Sequence, residues 1–282
     1  MDSTIGIREQ TAVNHIALVG NPNCGKTSLF NLWSGLNQHV ANFAGVTVES
    51  TSTFLKSKGQ PTIKLTDLPG VTSLYPQSED ERVTSQVLLD PAHPEHPDKV
   101  VVVVDATQLR RGLALCTQVM DLGFPTVLVL NMMDLVEAEK LEIDLERLQH
   151  WLKIPVFGMS ALKGTGLKQL KEIIRQPVAP TSQAWMEVPN GFRASVEEIA
   201  GQGHFQSHYH AYMALVSPSS FPQLTSPALA EARDHAQLQA ENSQRLISNE
   251  WLVRLDRVDG ILEESVRSLR TDPLSLTEKI DR

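Results

Sequence analysis

The chain has 282 residues, 41% apolar and 21% charged, which suits one medium domain plus a smaller one, each with a real core. Its formal net charge of −8 excludes a general nucleic-acid or anionic-membrane binder, which needs a basic face. Cys24 and Cys116 stand in unrelated contexts, offer no disulfide framework and point to a reducing compartment.

In chain order, the opening MDSTIGIREQ lacks a signal-peptide pattern, so the chain reads as soluble and cytosolic. The first strand, HIALVG, runs into NPNCGKTSLF. Gly20 and Gly25 bracket four residues and are followed by Lys26 and Thr27, a G-x-x-x-x-G-K-T loop between a strand and a helix. Such a loop turns its backbone N–H groups on an anion, places a lysine at the β- and γ-phosphates and offers a hydroxyl to Mg²⁺. A nucleoside triphosphate is therefore expected on Asn21, Pro22, Asn23, Cys24, Gly25, Lys26, Thr27 and Ser28. Cys24 reads as a small neutral loop residue.

Next, NFAGVTVE supplies Thr47 as a switch threonine that completes the Mg²⁺ shell only with the γ-phosphate present. The strand TIKL ends in TDLPG, where Asp67 can hold Mg²⁺ through water and the Gly70 N–H can meet the γ-phosphate. Val71 stands where Ras-like proteins carry a water-orienting glutamine, so catalysis must rest on charge neutralisation and positioning, with Arg82 the nearest arginine. PAHPEHPD, 91–98, reads as a surface loop.

The run KVVVVVD, far too short to cross a bilayer, is a strand covered on both faces. RRGLALCTQVMDLG follows as a helix that buries Cys116, and TVLVLN is the next strand. The Asn131-Met132-Met133-Asp134 box at its end, and Ser160-Ala161-Leu162 after IPVFGM, resemble the two base-reading boxes of guanine nucleotide-binding proteins. A carboxylate accepts from guanine N1–H and the exocyclic amine but is repelled by the adenine N1 acceptor, so Asp134 selects GTP over ATP. Met132 replaces the usual lysine, which implies a looser grip on the base and quick GDP release.

Strands alternating with helices such as DLERLQHWL up to about residue 176 imply an α/β fold with a mostly parallel sheet flanked by helices. After a proline-containing linker at 176–183 only helical pattern is evident from 188 to 269. Its clearest stripe is Trp251, Leu255, Val258, Leu262, Val266 and Leu269. His204, His208 and His210 lack ligand-spaced partners and read as a solvated helix face.

Taken together, GNPNCGKTSLFN, NFAGVTVE, DLPGVTSLYPQSEDE, VVDATQLRRGLALCTQVMDLGFP and LNMMDL resemble one family, the cytosolic N-terminal part of bacterial ferrous iron transport protein B, FeoB. The resemblance implies a Ras-like P-loop GTPase domain over 1–176, a small all-helical regulatory domain over 184–270 and a linker at 271–282 toward a membrane domain outside this chain. It implies slow, potassium-activated GTP hydrolysis, with Asn23, Lys26, Thr47 and Gly70 in the catalytic set. Mg²⁺ falls to Thr27, Thr47 and Asp67, and K⁺ to Asn23, where an arginine finger would otherwise sit. On its own residues, Asn23 also suits a loop that needs an unusual backbone angle. The family's setting implies the cytoplasmic face of the inner membrane, with small accessory iron-transport proteins and a homo-oligomer as partners and no nucleic acid. Two other classes share the boxes: a soluble ribosome- or tRNA-modification GTPase, which would add a basic module, and a nucleotide-gated binding module with negligible turnover.

Overall fold

The computed structural model describes residues 15–35, 39–42, 49–57, 60–201, 205–217, 220–221, 231 and 243–268. In chain order its elements are β1 (His15–Val19), α1 (Lys26–Ser34), β2 (His39–Asn42), β3 (Glu49–Ser57), β4 (Gln60–Asp67), α2 (Glu79–Leu89), β5 (Lys99–Asp105), α3 (Leu109–Asp121), β6 (Thr126–Asn131) and α4 (Met133–Ala138). They continue with β7 (Leu141–Ile143), α5 (Leu145–Leu152), β8 (Val156–Gly158), α6 (Leu167–Ile173), a 3-10 turn (Asn190–Phe192), α7 (Arg193–Ala200), α8 (His208–Val216), α9 (Ser243–Ser265) and β9 (Val266–Ser268).

The main sheet runs β2-β3-β4-β1-β5-β6-β8. β1 lies parallel to β4 and β5, β5 to β6 and β6 to β8, while β3 is antiparallel to both β2 and β4. All five expected strands are present and the mostly parallel sheet stands. The β2–β3 ribbon is an addition, since its sequence is too polar to announce itself: β3 reads ESTSTFLKS.

Strand alternation splits the interior into two cores. Ile16, Leu18, Val101, Val103, Val127 and Val129 point to one face, under Leu29, Phe30 and Trp33 of α1 and Leu170 of α6. Ala17, Val19, Val100, Val102, Val104, Leu128 and Leu130 point to the other, where they join α2, α3 and α5. This second core runs without a break into the later helices, taking in Tyr209, Met213, Leu255, Val258 and Leu262. Trp185 is already buried against it, its backbone N–H donating to Asp121 Oδ1 (2.7 Å).

Two expectations need correction here. The stretch after 188 is not helical throughout, because β9 pairs antiparallel with β7, Val266 opposite Ile143 and Ser268 opposite Leu141. Val266 keeps the inward place that the stripe assigns it, but in a strand. A spacing of four continues past a helix end whenever the next inward residue happens to fall there. Leu269 and the following linker lie outside the described residues. The histidines are not one solvated face either. His208 is exposed, whereas His210 is buried with its ring nitrogen 2.9 Å from the Leu89 carbonyl, packed between Phe205 and Phe221. His204 lies outside the described residues. The 91–98 loop is also anchored, Glu95 pairing with Lys64 of β4.

Candidate functional site

The parallel strands β1, β4, β5, β6 and β8 all deliver their C-terminal ends to one edge, where ligands settle in open α/β sheets. β1 ends at Val19 and α1 begins at Lys26, leaving residues 20–25 as the turn. Its glycines are sterically required. A Cβ on Gly20 would collide with the Val103 carbonyl of β5, and one on Gly25, at φ 87°, with the Asn131 amide. The Lys26 ammonium donates to the carbonyls of Gly20 (3.1 Å) and Asn21 (3.2 Å), folded over the turn that it serves. Pro22, Asn23, Thr27 and Ser28 are exposed around it, and Asn23 takes the left-handed angle φ 63°. Cys24, by contrast, is buried, and burial pushes its thiol pKa up. It is packing, not a reactive group.

Thr27 Oγ1 donates to Asp67 Oδ2 at 2.8 Å. The other carboxylate oxygen, Oδ1, is buried and has no hydrogen-bond partner, and burial raises the Asp67 pKa. A buried orphan carboxylate oxygen beside a threonine hydroxyl is a hard-cation donor set, so these residues fit Mg²⁺. Gly70 closes the phosphate end. A Cβ there would come within 3.0 Å of the Pro22 backbone and 3.2 Å of Lys26 Nζ. Val71 is fixed inward, its N–H donating to Gly20 O (3.1 Å), its carbonyl accepting from Asn21 Nδ2 (3.2 Å) and its side chain buried. The residue in the glutamine position is thus a core residue.

At the base end, Asn131 ties three segments together. Its amide nitrogen donates to Cys24 O (3.0 Å) and its oxygen accepts from Ala161 N (2.9 Å), so one side chain sets the phosphate loop against the second base box. Met132 adopts φ 64°, and its Cε lies 3.7 Å from a Cβ placed on Gly25, covering the loop with an apolar arm. Asp134 sits half-buried in the first turn of α4. A hydrogen bond from Ser160 and the charge of Lys163 hold its carboxyl below the usual carboxylate range, the ionised acceptor that guanine requires. Leu162 is 89% exposed at the rim. Every expected site residue is brought to this edge except Thr47, which lies outside the described residues. Arg82 sits in the first turn of α2, 3.4 Å from Glu79.

Two features went unread in the sequence. Glu81 accepts from Thr72 N (2.9 Å), Thr72 Oγ1 (2.8 Å) and Gln77 N (2.8 Å), clamping the segment after Gly70. The Ser78-x-x-Glu81 capping box was its available signal. Beyond it, Tyr75 donates to Glu250 Oε2 (2.5 Å). Glu250 also accepts from Tyr209 (2.6 Å) and Arg254 (2.9 Å), and Arg254 reaches Asp121 at 2.7 Å. Gln118 completes the cluster by accepting from Leu74 N (2.9 Å). No local spacing could reveal it, since Tyr75 and Glu250 alone lie 175 residues apart.

A mostly parallel sheet with this phosphate loop, the Thr27–Asp67 pair and the Asp134 carboxylate at one edge defines a P-loop guanine nucleotide-binding protein. The family model for "Ferrous iron transport protein B" matches residues 14–174. The Fe(2+) transporter FeoB of Leptospira biflexa is 37% identical over 188 residues, covering 65% of this chain and 27% of that protein. The Legionella pneumophila transporter of the same name is 42% identical over 165 residues, 57% of this chain and 21% of the relative. Among solved structures, the cytosolic domain of L. pneumophila FeoB superimposes with a TM-score of 0.70 at 27% identity, covering 90% of this chain and all of that one. The T. maritima FeoB cytosolic domain in its GMPPNP form gives 0.71 at 27% identity with the same coverage. A GDP-bound mutant of the S. thermophilus FeoB G domain gives 0.72 at 29% identity, again over 90% and 100% of the two chains. The chain belongs to the ferrous iron transport protein B family and carries its N-terminal G domain. It spans about a quarter of the length of the curated relatives it matches.

Proposed function

We propose that this chain binds GTP with Mg²⁺, hydrolyses it slowly and serves as the nucleotide-responsive part of a ferrous iron transporter at the cytoplasmic face of a bacterial inner membrane. The observation that carries this reading is the Asp67 carboxylate, one oxygen on Thr27 and the other buried without a partner, at the end of a loop whose far side presents Asp134. Related domains bound to GDP and to GMPPNP support it. In the triphosphate state, Lys26 and the Gly70 N–H would face the γ-phosphate. Thr47 would join Thr27 and Asp67 around Mg²⁺. Val71 has no hydrogen-bonding group to orient water, which makes Asn23, exposed on the loop, the residue to hold K⁺ and so offset charge developing in the transition state.

A phosphate-release assay in potassium and in sodium tests this. Wild type should turn over faster in potassium. Asn23→Ala should lose that difference while keeping its GDP affinity, a cost on the order of a hundredfold to a thousandfold in rate if one preorganised group is removed. Negligible release in both salts would leave a nucleotide-gated binding module. Retained potassium stimulation in the variant would assign the cation elsewhere. Thr47→Ala should impair hydrolysis more than GDP binding, and equal losses would remove Thr47 from the γ-phosphate. The helical part, tied to the segment after Gly70 through Tyr75 and Glu250, favours one nucleotide state by linkage, here assigned to GDP. A Porphyromonas gingivalis relative is a Fe(2+) transport protein A/FeoB fusion, which supports a small accessory protein as partner.

A further inference from the structure

The carboxylate that reads the base stands on α4, a single short helix held at its N-terminus by Met133 N donating to Met159 O (3.1 Å). What holds its other end is β7, which begins three residues after α4 stops and is paired on one edge by β9. The pairing is reinforced at several points. Asp144 N donates to Ser265 O (2.8 Å), Arg147 Nη1 to Glu264 O (3.2 Å) and Trp151 Nε1 to Glu264 Oε2 (3.2 Å). Val266 is buried opposite Ile143. Just past β7, Leu145 lines the same face of Gly158 as Met133, since Leu145 Cδ1 and Met133 Cγ each lie 3.3 Å from a Cβ placed there, and both side chains pack on the same core. Met133 is the chain neighbour of Asp134. The last strand of the helical part therefore lies behind the guanine-reading residue through β7 and the two residues that join it to α4, a route separate from the Tyr75–Glu250 contact at the phosphate end.

We infer that β9, with Glu264 in the last turn of α9 just before it, is a positioning element for Asp134 and so a determinant of guanine affinity and selectivity. The inference rests on the assignment of Asp134 to the base. Its signature is chemical. Inosine diphosphate keeps the N1–H and the phosphates of GDP but lacks the exocyclic amine, so the affinity ratio of the two ligands reports how well the carboxylate is aligned. A merely structural loss would weaken both ligands equally.

The experiment measures GDP and IDP dissociation constants for the full chain and for Glu264→Ala, Val266→Ala and Leu246→Ala. Leu246 packs on the same core from the beginning of α9, away from β9, and serves as the control. Glu264 is about half exposed, so its replacement leaves the core intact. Expected is a fall in the GDP preference of about fivefold to tenfold for Glu264→Ala and Val266→Ala, approaching the effect of one misaligned hydrogen bond to a charged acceptor, with the ratio unchanged in Leu246→Ala. An unchanged ratio in both the Glu264 and the Val266 variant overturns the inference, as does an equal fall in the control. Wild type that shows no preference for GDP over IDP instead overturns the assignment of Asp134.

Discussion

At the scale of single residues, the site separates into groups legible from their neighbours in sequence and groups legible only from space. Lys26, Thr27, Asp67 and Asp134 announce themselves because phosphate, cation and base chemistry each need a particular side chain at a fixed distance from a strand end. Asp134→Asn exchanges an acceptor for a mixed donor and acceptor. It should weaken GDP and raise the relative affinity for XDP, whose C2 oxygen can accept from the amide, and titration with both nucleotides checks this. Asn131 looks like one member of a base box and proves to be a structural tie. Asn131→Ala leaves the Cys24 carbonyl and the buried Ala161 N–H without their partner. The expected cost is about 1–3 kcal/mol, several degrees in melting temperature even without nucleotide. A melting curve equal to wild type would show that water replaces the amide. On the proposed potassium role Asn23 would meet two demands at once, since its left-handed backbone alone would favour asparagine. Asn23→Gly separates them by keeping the angle and removing the amide. It should match Asn23→Ala in potassium response while folding at least as well.

Elements were legible where their residues bury themselves and obscure where they borrow burial from elsewhere. The valine run of β5 and the apolar periodicity of α3 state their own structure. β3 is polar and becomes a strand because β4 offers it an edge. β9 is three residues long and exists through β7. Between α3 and α9 polar contacts that no local pattern announces join the apolar packing: Arg110 grips Asp259 through Nε and Nη2 (2.6 and 2.8 Å), and Arg254 reaches Asp121 and Thr117, while Glu250 gathers Tyr75, Tyr209 and Arg254. Burial and the Glu250 carboxylate raise the pKa values of Tyr75 and Tyr209, which stay neutral donors. Removing the shared acceptor strands several buried groups together. Glu250→Ala should cost about 3–5 kcal/mol. Tyr75→Phe removes only one partner and should cost about 1–2 kcal/mol. If the cluster restrains the segment after Gly70, GDP should also leave faster from Tyr75→Phe, which a stopped-flow chase measures. Loss of stability with an unchanged off-rate would make the cluster a clasp without influence on the nucleotide.

For the molecule as a whole, the boundary suggested by the linker is not a boundary of packing. One core runs from the sheet through α3 into α8 and α9, so cutting the chain near residue 176 would strip apolar surface from the G domain. Point substitutions are the cleaner probe of the helical part. Acid should act on this junction through His210, whose pKa burial pushes down to about 4 from 6.5. Between those values the unfolded chain binds the proton that the folded one refuses. His210 therefore costs nothing above about pH 6.5, and stability falls as the pH drops from there toward 4. Replacing it, as His210→Gln, should flatten the decline in melting temperature between pH 7 and 5, while an identical slope would place the sensitivity in other groups. Shared packing has a further consequence for how the protein is made. A ribosome adds about 5–20 residues each second, so several seconds pass after α3 emerges before α9 can reach it. Throughout that interval Thr117, Gln118, Asp121 and Tyr75 lack the Arg254 and Glu250 partners they have in the fold, so the nascent G domain should be a client for a holding chaperone. Nascent chains halted before residue 243 should need that chaperone to stay soluble, and chains released past residue 268 should not.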